Sequence, residues 1–186
     1  KDGADLSQTL SSAEAGTVLK LSSGDTMTLS DATVKFYAGR RYRAAWTSGE
    51  DMTEVGKSVF SALASSPQDG LNPTLYHYPS AEKIAASAAK TPQSLADLDI
   101  ILTEGITRYA TDLAQGAIDP KTENLDWRIP REKAPEQGVL QALASGGTAS
   151  EILQALRPKG IHYARYLDAL NRYREIEKAG GWGTVP

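Results

Sequence analysis

The stretch LADLDIILTEGITRYATDLAQGAIDPKTENLDWRIP, residues 95–130, constrains the fold more than any other. Apolar residues recur at Leu98, Ile101, Leu102, Tyr109 and Leu113, the spacing of one buried helical face. Thr91-Pro92 supplies a cap and a first-turn proline, Gly116 a stop, and Asp119-Pro120 a turn away. A helix of more than twenty residues spans roughly 30 Å at ~1.5 Å per residue, about the width of a small domain. Such a helix is expected to be a hub with other helices packed around it.

The remaining segments read mainly as shorter helices. VLKL and TMTL flank Ser22-Ser23-Gly24-Asp25, and either a hairpin or a loosely held extended arm fits residues 1–33. Ser30-Asp31 caps a helix through Val34, Phe36 and Tyr37 that ends near Gly39. A second amphipathic helix carries Met52, Val55, Val59, Phe60 and Leu63. A turn-rich connector (69–79) and an alanine-rich helix (79–90) follow. Beyond the hub lies an irregular segment, 117–135, with Trp127 expected inward. Val139, Leu140 and Leu143 then mark a helix that stops at Gly146-Gly147, and Thr148 with Glu151 reads as a capping box. The last helix places Tyr163, Tyr166, Leu167, Leu170, Tyr173 and Ile176 on one face before Gly180-Gly181. The expected fold is all-α: an irregular bundle of six or seven helices around a long central one, with a partly extended N-terminal arm (1–33). Residues 34–180 form the helical domain, and 181–186 read as the start of a linker.

Composition removes several functions. The chain has no cysteine, which excludes disulfides, thiolate metal sites and cysteine nucleophiles within these 186 residues. A net charge of −3 without a basic stripe speaks against nucleic acid. No apolar run is long enough to span a bilayer. The N-terminus lacks the charged-then-apolar order of a signal peptide, as a mature secreted protein also does. His77 and His162 are far apart, with no carboxylates at metal-ligand spacing, so neither a metal nor another cofactor is expected.

Two segments carry a sharper alternative. Glu104, with Asp112 two turns on, is the candidate acid of a helical muramidase; pairing with Arg108 on the polar side is the simpler reading. Asp97 and Asp99 flank the apolar face and are expected in solvent. RRYRAAW (40–46) joins basic and aromatic residues, suited to binding the wall or a partner, and more simply to packing with arginine stems on aromatic faces.

Three blocks resemble one family. FYAGRRYRAAW (36–46) precedes DGLNPTLY (69–76). LTEGITRYATDLAQGAIDP (102–120) has Trp127 beyond it. LRPKGIHYARYLDALNRYREIEKAGGWGTVP (156–186) is the most specific. Together they are similar to the helical scaffold domain of the large Gram-negative L,D-transpeptidases, over roughly residues 34–186. The resemblance implies a periplasmic protein whose partners are its own catalytic and peptidoglycan-binding domains, with peptidoglycan or other cell-wall proteins as further candidates. It also implies no catalytic residue here, since the family's Ser/Thr-His-Gly-Cys block is absent from these residues. The landmark positions are Phe36, Tyr37, Arg40 and Trp46; Asp69, Gly70 and Leu71; Tyr109, Leu113, Gly116 and Trp127; and Tyr173, Gly181 and Trp182, all expected as structural anchors. Asp69 is expected to cap a turn and pair with Arg40 or Arg41.

Overall fold

The computed structural model describes residues 6–123, 126, 128, 131 and 133–182. Trp127 lies outside them. Nine helices run in chain order: α1 (Ser7–Leu10), α2 (Asp31–Gly39), α3 (Glu54–Ala64), α4 (Tyr78–Ala85), α5 (Pro92–Gln115), α6 (Pro120–Glu123), α7 (Glu136–Ala144), α8 (Ala149–Leu156) and α9 (Ile161–Lys178). That count covers the described residues, and two 3-10 turns (Ser66–Asp69 and Pro73–Tyr76) and two short pairs of strands complete the elements among them. The fold is all-α, as the sequence implies. The excess over six or seven helices comes mainly from the four-residue helices α1 and α6, too short to leave a periodic signal.

The central helix α5 forms where its caps demand. Thr91 Oγ1 accepts from the Ser94 N–H while the Ser94 hydroxyl accepts from the Thr91 N–H, Pro92 occupies the first turn, and Gly116 closes the helix at φ +84°. Helices α2, α3, α4, α7 and α8 all pack on it. Every residue from Leu95 to Thr107 is buried, so α5 is enclosed on all sides rather than along one stripe. Two close approaches make this enclosure. A Cβ on Gly105 would stand 2.7 Å from both the Tyr76 carbonyl oxygen and Leu63, and one on Gly56 only 2.2 Å from the Trp46 carbonyl oxygen. Glycine is required at both.

Residues 6–30 join the same core. The hairpin pairs β1 (Val18–Lys20) with β2 (Thr26–Thr28) in the register Leu19 to Met27. It carries Met27 inward, beside Leu6, Leu10, Leu21 and Leu29, all at most 3 % exposed. A second, two-residue pair, β3 (Thr47–Ser48) with β4 (Asp51–Met52), turns the chain into α3. The extended-arm alternative therefore gives way to a packed hairpin. No described helix is long and apolar enough to cross a membrane.

Candidate functional site

A helix enclosed on every side usually lacks polar residues, yet α5 keeps its carboxylates. Asp97 and Asp99, expected in solvent, are 1 % and 0 % exposed. Each is satisfied by backbone arriving from a loop. Asp97 accepts from the Ser22 N–H at 2.6 Å and from the Gln93 amide at 2.8 Å. Asp99 accepts from the N–H groups of Ala45, Trp46 and Thr47 at 2.7–2.8 Å, and from the Tyr37 and Thr47 hydroxyls. Burial pushes the Asp99 carboxyl upward; the bonds from Ala45, Tyr37, Trp46 and Thr47 oppose it. Burial beside that carboxylate pushes the Tyr37 hydroxyl well above the usual tyrosine range.

Glu104 follows the same pattern. It is buried, and its Oε1 accepts from the Ser30 N–H at 2.6 Å and from the Ser30 hydroxyl at 3.0 Å. Ser30 also caps α2. Arg108, the expected partner, is exposed, and the pairing with it is replaced by this loop contact. Further along, Asp112 accepts from the Tyr76 hydroxyl at 2.9 Å, and burial holds its carboxyl above the ordinary range. Four carboxylates of one helix thus each hold a different segment of chain.

The basic–aromatic segment is built into this scheme. Trp46 is buried, donates its indole N–H to Thr103 at 2.8 Å, and stacks with Phe36 at 5.6 Å. The Arg40 guanidinium lies 5.3 Å from the Phe36 ring centre and donates to the Ala44 carbonyl. Arg41 and Tyr42 both take positive φ, 54° and 59°, where the chain reverses out of α2. The packing reading of residues 40–46 matches this geometry.

A second polar centre holds α9 to the body. Asp69 ends a 3-10 turn (Ser66–Asp69) that Gly70 closes at φ +75°, and its side chain is 2 % exposed. Arg157 grips it with two parallel bonds of 2.6 and 2.8 Å, Tyr163 donates at 2.8 Å, and the Tyr109 hydroxyl bonds its other side. Arg40 and Arg41 are elsewhere, so the expected partner is corrected to Arg157, which emerges just before α9. Burial acts to raise the Asp69 carboxyl, but Arg157, Tyr109 and Tyr163 outweigh it and hold it below the usual range. Burial and the same carboxylate push the Tyr163 hydroxyl up to about 12. Two cavities, of about 330 and 520 Å³, flank this centre and share Gln68 and Arg157.

Helix α9 buries no residue. Its inner face meets the body through Tyr163, through Arg174 donating to the Pro67 carbonyl at 2.6 Å, and through Leu170 against Gly70. The other flank is open. Tyr166, Tyr173 and Trp182 are 73 %, 58 % and 66 % exposed, so Tyr173 and Trp182 are surface aromatics rather than buried anchors. Gly180 and Gly181, at φ +103° and +76°, turn the chain back and bring the Trp182 ring to 5.6 Å from Tyr173. Among the other landmarks, Tyr109 and Leu113 lie in the core, and Leu71 packs against it half-buried.

The chemistry left over is sparse. His77 is half-buried at φ +55°, with burial holding its imidazole below the ordinary value, and His162 is exposed on α9. No group of three or more potential metal ligands occurs among the described residues. Sequence reasoning missed the polar roles of Asp97, Asp99 and Arg157; apart from Gln93, four residues before Asp97, their partners lie 52–88 residues away, beyond any local pattern.

Fold and site together define an all-α domain whose buried polar groups serve its own architecture. Residues 31–170, well over half of the chain, match the family model described as a scaffold domain, and the chain belongs to that family. No curated protein and no solved structure gives a match.

Proposed function

We propose that this chain is the structural part of a periplasmic L,D-transpeptidase that forms peptidoglycan crosslinks. In this reading it has no turnover of its own and holds the catalytic and wall-binding modules in position. The observation that carries the reading is the use of the buried carboxylates. Asp97, Asp99, Glu104 and Asp69 each accept two or more bonds from the domain's own backbone and side chains. A framework that fixes loops this way keeps its surface geometry constant, as a mount for other modules must. The scaffold-family match and the three sequence blocks support the same assignment. In such a parent the acyl-carrying thiolate would be supplied by a module other than these 186 residues, which contain no cysteine.

The test is to incubate the purified chain with disaccharide-tetrapeptides and resolve the products by mass spectrometry. No crosslinked dimer is expected; turnover by the chain alone would overturn the proposal.

A further inference from the structure

We propose that α9 is a hinged arm: an intact helix that docks on the body and swings from it about residues 158–160. The inference stands on the geometry of α9 and does not depend on the cell-wall reading. Among the described residues, the hydrophobic core takes its last side chains from α8, at Ile152, Leu153 and Leu156, and none from α9. An element that buries so little apolar surface opens at low free-energy cost, apart from the cooperative unit. What holds α9 is a small set of contacts on one short turn. The Tyr163 hydroxyl donates to Asp69 at 2.8 Å, Arg174 donates to the Pro67 carbonyl at 2.6 Å, and Leu170 lies over Gly70. A cavity of about 520 Å³ opens among Gln68, Asp69, Leu167 and Asn171, so the seam is loose where a core helix would be close-packed.

The connection to α8 is built as a pivot. Arg157 leaves α8 in extended conformation, ψ 140°, and its two bonds to Asp69 fix the root of the arm on the body. Pro158, Lys159 and Gly160 follow, with Gly160 also extended at ψ 147°. Among the described residues these three form no backbone–backbone hydrogen bond to the body. Rotation there leaves the Arg157 grip in place and breaks the contacts of Tyr163, Leu170 and Arg174. The released arm keeps its shape. Its 18 residues exceed the ~12–15 below which isolated helices are marginal. Glu175 pairs with Lys178, and Asp168 stands three residues after Arg165 and four before Arg172, spacings at which unlike charges support an exposed helix. At ~1.5 Å per residue, Lys178 lies about 27 Å from the pivot, so a rotation of about 20° carries it roughly 9 Å. A small change at the turn becomes a large one at the far end.

The experiment uses the lack of cysteine. Ser61→Cys on α3 and Glu177→Cys on α9, both at exposed positions, give one spin-label pair whose distance is read by double electron–electron resonance. Two distance populations are expected, and Tyr163→Phe with Arg174→Gln should lower the docked one at least fivefold. Circular dichroism should show the helical signal retained in that variant, and amide exchange over α5 should stay at the unsubstituted rate. A single narrow distance before those changes, or a docked population unmoved by them, overturns the hinge. Release accompanied by loss of helical signal overturns the intact arm, since α9 then melts instead of swinging. Faster exchange over α5 in the double variant makes α9 part of the core and overturns the proposal as well. None of these readouts involves cell-wall material, so their failure and that of the proposed function are distinguishable.

Discussion

Replacing Asp99 by alanine should unfold this domain far more readily than any comparable change on α5. The carboxylate is fully buried and takes five bonds, three of them from consecutive backbone N–H groups. Tyr37 keeps an alternative, since its hydroxyl also lies 2.7 Å from the Thr103 hydroxyl. The amides of Ala45, Trp46 and Thr47 lose their acceptor. At ~1–3 kcal/mol for each stranded buried donor, the low end of the loss is about 3 kcal/mol before any cavity forms. That is a large share of the ~5–15 kcal/mol that holds a domain together. Asp97→Ala is the control. Its backbone partner Ser22 is exposed, so that amide can turn to water, and a loss of about 1 kcal/mol is expected. Urea unfolding followed by tryptophan fluorescence and circular dichroism measures both. With a slope near ~2 kcal/mol/M, the Asp99 variant should lose at least ~1.5 M in midpoint. Equal midpoints for the two variants would refute the pinning argument.

Other outcomes follow from the same geometry. Asp69 has a folded pKa below its unfolded value of ~3.9, so its contribution to stability is present above that pH and lost as pH falls through the folded value. The gap in urea midpoint between wild type and Asp69→Asn should be full at pH 6 and close below about pH 4; a gap independent of pH would contradict the Arg157 pairing. Asp69→Ala should also release α9, seen as faster amide exchange over 161–178, and a variant melting at the wild-type temperature with unchanged exchange would count against the latch. Gly105→Ala, favoured by helix propensity by about 1 kcal/mol, should nevertheless destabilise, because the added methyl meets the Tyr76 carbonyl; a raised melting temperature would show that α5 and the 3-10 turn Pro73–Tyr76 can separate cheaply. Glu104→Gln should cost about 1 kcal/mol through the Ser30 contact and leave any wall-degrading activity unaltered. Loss of such activity on that change would revive the muramidase alternative.

Much of the framework was legible in the sequence because it is written in local signals. Thr91-Pro92 and Gly116 bracket α5, Ser30 caps α2, and Thr148 accepts from the Glu151 N–H at the start of α8. The polar faces of α5 were not legible. Helical periodicity assigns one face inward and the rest to water, and it cannot register that loops 45–47 and 22–30 bring backbone donors to the other faces. The Asp69 centre was half legible: its turn follows from Asp-Gly-Leu, but Arg157 and Tyr163 reach it from 88 and 94 residues away. On α9 the expected single inward face splits in two. Tyr163 and Leu170 turn to the body at Asp69 and Gly70, while Tyr166 and Tyr173 turn out to solvent.

The central claim is that this framework serves a larger cell-wall enzyme, and the most direct test is to read the source gene past the codon for Pro186. The account predicts, in the same frame, a wall-binding segment and a Ser/Thr-His-Gly-Cys block. A frame that closes without such a block, or continues into an unrelated module, would contradict it.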